Sequence, residues 1–343
     1  MKVHFALLLL AVAFCAEPSR AAFINGHSYT ALSGWSAANG FRLQARAGGL
    51  VSYTNRLALR LVFEKDSRTA QINGVNVAMS FPAAYDKGEM FVSQLDLTKT
   101  VEPLAFAPNW RKKISTIVLD PGHGGKDTGN RVGSRFFGYS EKTYTLALAK
   151  ELRDQLKKAG FNVLLTRTND TFVELTGRPD LANRRNADLF VSLHFNATES
   201  GKAEVSGSET YCITPVGAAS SNAEGVGANY GATPANAVEK KSLLLAYAVQ
   251  KSLVKNLAAE DRSVRRARFA VLRDCKMPAI LVESGYMTHP VEGKKIFDAG
   301  YRKQIAAAVV KGVLNYQKLT APPTDEKLGA GNPPVKTLKR KKT

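Results

Sequence analysis

The sequence predicts an α/β fold, a mostly parallel sheet with helices on both faces, preceded by a small β-rich domain. Three observations carry this expectation. From residue 114 onward, short apolar runs alternate with helical patterns, which is the signature of strand–helix–strand units. Before residue 109 the apolar residues instead alternate one by one, and an Asn-Gly pair separates two such runs, which points to antiparallel strands. The 343 residues are 44% hydrophobic and 22% charged, enough apolar surface for two domains and incompatible with global disorder.

Residues 1–21 read as a secretory signal peptide. Lys2 precedes an apolar core over 5–15, and Ser19 and Ala21 supply small residues for cleavage. The apolar run is far short of the roughly 20 residues that span a bilayer. Phe14 ahead of Cys15 fits a lipidation signal poorly, and no later segment has the length and apolarity of a spanning helix. The expected location is therefore outside the cytoplasm, in the periplasm or the extracellular envelope. With the leader removed, Cys212 and Cys275 remain, able to form one bridge or to stay free. A formal charge of +19 implies an acidic partner, which for an exported chain means wall polymer or anionic headgroups ahead of nucleic acid.

The β-rich domain is expected over 22–108. Leu57, Leu59, Leu61 and Phe63 alternate onto one face of a strand, and Asn73-Gly74 marks a hairpin. Its single histidine, His27, reads as structural. The segment 72–97, with I-N-G-V-N-V and M-F-V-S-Q-L-D-L, resembles the N-terminal domain of copper amine oxidase-like proteins, a noncatalytic module that here serves as wall binder, spacer or structural element. Residues 109–113 read as a linker into the domain at 114–320.

In that domain an apolar strand at 117–119 runs into D-P-G-H-G-G-K-D-T-G and so presents His123 on a loop. Taken alone, the loop also fits a tight turn with a solvated histidine; a phosphate loop is disfavoured by the missing Gly-Lys-Ser/Thr ending. Ser140 is placed to cap a helix running to about residue 159, with Leu148, Leu152 and Leu156 on its buried face and Gly160 at its end. A strand at 161–166 and a helix reaching about residue 187 lead to an apolar strand at 188–194 that ends on His194. A strand at 208–213 precedes residues 215–240, rich in Gly, Ala, Ser and Asn, which read equally as a flap over the site or a plain insertion. A helix over 242–259, a strand at 279–283 ending on Glu283 and a helix over 301–319 complete the domain. Residues 321–343 read as a disordered basic tail suited to an anionic surface.

Strand C-termini and helix N-termini share one edge of an open parallel sheet, so His123, Glu141, His194 and Glu283 are expected to converge there. Two imidazoles and a carboxylate form the ligand set of a catalytic zinc with one position left for water. Glu141, at a helix N-terminus that favours its ionised form, is the better third ligand, which leaves Glu283 for proton transfer. Asp120 and Asp127 read either as partners of His123 or as turn residues, and His289 falls outside the ligand set.

The motifs V-L-D-P-G-H-G-G, S-E-K, L-F-V-S-L-H-F-N-A and P-A-I-L-V-E-S-G-Y, in this order over 114–319, resemble the zinc-dependent N-acetylmuramoyl-L-alanine amidases. The resemblance implies zinc on His123, Glu141 and His194, Glu283 as acid and base, and Asn196 as a substrate-binding residue. It also implies cleavage of the amide joining N-acetylmuramic acid to L-alanine in peptidoglycan, and an activator protein that relieves a segment lying over the zinc, for which 215–240 is the candidate. Thr288-His289-Pro290 departs from the Ser-Asn-Pro usual in the family. A wall-binding protein that has lost activity and a zinc peptidase acting on the stem peptide are the competing classes.

Overall fold

The computed structural model describes residues 20–106, 110, 112–133, 138–198, 204–221 and 231–320. Most of the leader and the whole basic tail at 321–343 lie outside these residues, as does the centre of 215–240; Ala21 already belongs to the first strand.

The N-terminal part contributes β1 (Ala21–Ile24), β2 (His27–Ala31), α1 (Leu32–Ala38), β3 (Phe41–Ala47), β4 (Leu50–Asn55), β5 (Arg60–Glu64), β6 (Thr69–Ile72), β7 (Val75–Ala78), β8 (Ala84–Asp86) and β9 (Glu89–Ser93). A helical stretch follows: α2 (Gln94–Asp96), a π-turn at Leu97–Val101 and α3 (Glu102–Ala105). Then come β10 (Thr116–Pro121), the hairpin β11 (Arg131–Gly133) and β12 (Gly138–Ser140), α4 (Glu141–Lys158), β13 (Asn162–Leu165), α5 (Gly177–Arg184), β14 (Leu189–Asn196) and β15 (Ser208–Cys212). The chain continues through α6 (Glu239–Leu257), β16 (Asp261–Arg266), α7 (Ala270–Arg273), β17 (Ala279–Tyr286), α8 (Glu292–Phe297) and α9 (Ala299–Thr320).

Among the described residues, eleven strands form one large mixed sheet in the order β13-β10-β14-β17-β15-β16-β7-β6-β5-β4-β3, beside a small antiparallel sheet of β1, β2, β9 and β8. Pairing is parallel from β13 through β17, antiparallel between β17 and β15, parallel from β15 to β7, and antiparallel from there to β3.

The sequence implied a separate β domain on a linker, whereas the strands of the two parts join edge to edge. β7 pairs with β16 through Val77 and Val264, the Asn76 backbone N–H donates to Asp261 Oδ2 at 2.7 Å, and Tyr247 Oη donates to the Ile72 carbonyl at 3.0 Å. Val51, Phe63, Val77, Val264, Val282 and Leu148 consequently lie in one hydrophobic cluster. The alternation seen at 57–63 starts later than expected. The Asn55 side chain accepts the backbone N–H groups of Leu57 and Leu59, both at 3.0 Å, making a turn that leaves Leu57 87% exposed while Leu61 and Phe63 are buried. The Asn73-Gly74 hairpin joins β6 and β7 with both residues at positive φ.

The two faces of the sheet differ. Leu148, Leu152 and Leu156 of α4 are fully buried, each worth about 2 kcal/mol of apolar transfer, and pack with α6 and α9 on one face. On the other face α5 and α7 cover Val118, Phe190 and Leu281, and this face carries the site.

Candidate active site

β10 sends Ile117 and Leu119 into the main core and ends at Pro121; His123 follows on the loop with φ of 61°, a conformation uncommon for a residue with a side chain. Two buried arginines hold this loop. Arg178 pairs with Asp120 at 2.8 Å and donates to the carbonyls of Pro121 and His123, both at 3.1 Å. Arg167 donates to the carbonyls of Pro121, Gly122 and Lys142 at 2.8–3.0 Å, which ties the loop to the first turn of α4.

That turn begins with Glu141, which is 1% exposed. Its Oε2 lies 3.1 Å from His123 Nε2 and its Oε1 3.0 Å from His194 Nδ1. The Asn130 and Phe195 backbone N–H groups donate to the same carboxylate at 2.9 and 3.1 Å. Burial pushes the Glu141 pKa up, but the two imidazoles outweigh it and hold the carboxyl well below its usual range. His123 is shifted the opposite way: burial pulls its pKa down, and Glu141 followed by Asp127 more than offsets that and raises it.

One ligand atom from each of His123, Glu141 and His194 falls within 4.8 Å of the others, a two-nitrogen, one-oxygen donor set of the kind that holds a catalytic divalent metal. Close approach to these ligands depends on two glycines. A Cβ on Gly122 would meet the His194 ring at 2.3 Å, and one on Gly129 would meet Glu141 Oε2 at 2.6 Å. Asp127 Oδ2 sits 2.9 Å from His123 Nδ1, fixing which ring nitrogen faces the cluster.

Glu283 is the register partner of His194 on the neighbouring strand and lines the same cavity of about 350 Å³, which Leu175, Phe269, Val271 and Leu281 also wall. The residue keeps some exposure through the cavity, yet its Oε2 is closed off from solvent and has no hydrogen-bond partner among the described residues. Burial, then the charges of Glu141 and Glu209, raises its pKa well above the ordinary carboxylate value.

The structure thus brings together the four residues singled out at strand and helix ends. Of the two flanking acids, Asp127 contacts His123, whereas Asp120 accepts from Arg178, Thr166 and Ser192. Asn196 does not line the cavity; its Nδ2 donates to Glu209 Oε1 at 2.7 Å. His289 accepts the Val291 and Glu292 backbone N–H groups, away from the cluster, and His27 stacks on Phe81. Cys212 and Cys275 are buried free thiols. Arg167, Arg178 and Phe269 had no distinguishing signal in the sequence, since an isolated arginine or phenylalanine there reads as surface or core.

The sequence model of the family described as N-acetylmuramoyl-L-alanine amidase matches residues 117–315. The chain belongs to that family. The match takes in β10 through most of α9, so every residue of the His-Glu-His cluster and Glu283 lies inside it. The amidase LytC of Bacillus subtilis is 35% identical over 203 residues, covering 59% of this chain and 36% of LytC. AmiA of Escherichia coli K12 is 33% identical over 222 residues, 58% of this chain and 75% of AmiA. A crystallised N-acetylmuramoyl-L-alanine amidase from Clostridium difficile 630 is 35% identical, with 60% of this chain and 98% of that one aligned at a TM-score of 0.49.

Residues 215–240 read equally as a flap over the site or a plain insertion, and only their flanks are among the described residues. The described flanks, 215–221 and 231–240, do not line the cavity. Thr233 and Asn236 form a capping box, Pro234–Val238 is a 3-10 helix, and α6 starts at Glu239, whose carboxylate pairs with Lys99 of the N-terminal part. The sequence concealed this because Pro234 and the small residues around it resemble a loop, while the cap that starts the helix needs only Thr233 and Asn236. Residues 222–230 lie outside the described residues.

The buried Asp120–Arg178 pair gives a stability test. Asp120→Ala leaves the guanidinium buried without its counter-charge, so unfolding is expected to be about 3–5 kcal/mol easier, read from denaturant midpoints.

Proposed function

We propose that the chain is a peptidoglycan hydrolase that cleaves the amide between N-acetylmuramic acid and L-alanine, with His123, Glu141 and His194 holding a zinc ion. The observation that carries this reading is the placement of a buried carboxyl with an unpartnered oxygen, Glu283, beside a His-Glu-His donor set. Membership of the amidase family supports the substrate.

Bound at that donor set, zinc would supply Lewis acidity that polarises the scissile carbonyl and makes a water easier to deprotonate. Glu283 then takes the proton of the water whose oxygen bonds to the lactyl carbonyl carbon. As the carbon–nitrogen bond breaks, the same carboxyl returns the proton to the leaving amine of L-alanine. Asp127 keeps the His123 ring oriented, and Leu175, Phe269 and Val271 shield the reacting groups from bulk water. The wall polymer places this activity in the cell envelope, in keeping with the leader read at 1–21. Among the described residues no helix is long and apolar enough to cross a membrane.

Digestion of purified peptidoglycan with and without a chelator, followed by mass analysis, tests the reading. Intact stem peptides beginning at L-alanine are expected, and their release stops on chelation. Fragments cut between amino acids would replace the amidase reading with a peptidase.

A further inference from the structure

The β11–β12 hairpin leaves the cavity at Asn130 and returns to it at Glu141, with Val132 opposite Tyr139 in its register. Tyr139 precedes Glu141 by two residues, which keeps their Cα atoms within about 7 Å of each other. Tyr144 lies in the first turn of α4, on the other side of Glu141 in the chain. Both rings meet Phe297 of α8. Tyr139 stacks on it with ring centroids 4.0 Å apart and planes inclined by 12°, and Tyr144 meets it at 4.8 Å.

This aromatic cluster is anchored beneath and open above. Val132, Tyr144 and Phe297 are partly buried and pack against the main core. The Arg302 guanidinium lies 5.3 Å from the centre of the Tyr144 ring and donates to the Ile296 carbonyl at 2.7 Å, which closes that end of the cluster. Tyr139 is different: Phe297 covers one face of its ring, yet the residue is 47% exposed. A ring held by stacking and still half open to solvent offers a flat amphipathic surface that loses little further freedom when something binds to it.

We propose that Tyr139 is the stacking residue of a saccharide subsite, on which a sugar of the wall glycan lies beside the muramyl residue that carries the scissile amide. The proposal rests on the amide-hydrolysis reading and specifies the glycan side of the substrate. The site has two unlike flanks. Leu175 ahead of α5, with Phe269 and Val271 at the start of α7, walls the cavity from one face of the sheet, whereas the Tyr139 cluster stands with α4 and α9 on the other. The substrate also has two unlike halves, which leave the reacting carbon in different directions. Its peptide half begins with alanine, whose methyl group covers little of an aromatic ring. A pyranose instead presents a flat face of C–H groups bordered by hydroxyls, which matches an open tyrosine ring with a polar tip. The short chain distance from Tyr139 to Glu141 sets that sugar next to the reacting one.

The test is calorimetric titration of the full chain with peptide-free glycan strands of alternating N-acetylglucosamine and N-acetylmuramic acid. These strands carry no scissile amide, so binding is read apart from turnover. The titration is repeated on Tyr139→Ala and on Tyr139→Phe, with thermal unfolding confirming that each is folded. Tyr139→Ala is expected to weaken binding about tenfold, and Tyr139→Phe, which keeps the ring, to stay within about twofold of the wild type. No binding by the wild type, equal affinity in a folded Tyr139→Ala protein, or a Tyr139→Phe protein as weak as Tyr139→Ala overturns the proposal. So does a dimer that Tyr139→Ala splits while glycan affinity holds, which would make the cluster a contact between copies. Ring-dependent glycan binding in a protein that leaves the wall amide intact would keep the subsite and discard the amidase reading.

Discussion

Glu283→Gln is expected to lower the rate of stem-peptide release by about 10²–10⁴-fold while leaving the protein folded and raising its melting temperature in the metal-free state. The rate loss follows from the role proposed for Glu283: glutamine has similar size and cannot shuttle the proton between water and leaving amine. The gain in stability follows from the site itself. The Glu283 carboxyl is buried beside Glu141 and Glu209, its Oε2 has no partner, and its folded-state pKa lies well above the ordinary 4.5. For an acid shifted in this direction, the folded state binds the proton more tightly than the unfolded state. Stability is therefore fullest below pH 4.5 and is lost as pH rises toward the folded value. The melting-temperature difference between variant and wild type should accordingly be small near pH 4 and widen toward neutrality. A variant that melts with the wild type at every pH would show that Glu283 is relieved by some contact other than those described, and an active variant would remove it from the mechanism.

The same residue shows why the site was legible from sequence. His123, His194 and Glu283 each end an apolar run and Glu141 starts a helix, and in a sheet built from such units these ends meet on one edge. What the sequence hid were contacts without a periodic signature. β16 reads D-R-S-V-R-R and looks like a charged surface loop, yet Val264 is fully buried and its backbone joins the N-terminal strands to the catalytic ones. The charged residues there are accommodated because Asp261 accepts from Asn76 and Gln250, Arg265 pairs with Glu209, and Arg266 donates to the carbonyls of Ile213 and Lys99. Hydrophobic patterning cannot foresee a buried strand whose charged residues Asp261, Arg265 and Arg266 take partners distant in sequence. Arg178 was invisible for the same reason, because its burial depends on Asp120, 58 residues earlier.

Removing one of the residues proposed to hold the metal is expected to have the other large effect. His194→Ala deletes one of the donor atoms around Glu141, and metal affinity should fall by more than the roughly 10–100-fold typical of losing a supporting contact. Asp127→Asn supplies that lesser comparison, since Asp127 contacts His123 Nδ1 from outside the cluster. Metal content after dialysis against a zinc buffer measures both without relying on turnover, and the order expected is wild type, Asp127→Asn, then His194→Ala. Thermal unfolding gives an independent reading. Zinc at 100 times its dissociation constant adds about 2.7 kcal/mol to the folded state, so the wild type should melt higher with zinc, and His194→Ala should lose most of that increment. His194→Ala also leaves one Glu141 oxygen with a single backbone donor, Phe195 N–H, so without metal the variant should be somewhat less stable than the wild type. Undiminished zinc binding by His194→Ala would mean that the ion sits elsewhere, and the His-Glu-His cluster would then be a buried hydrogen-bonded network that orients the loop.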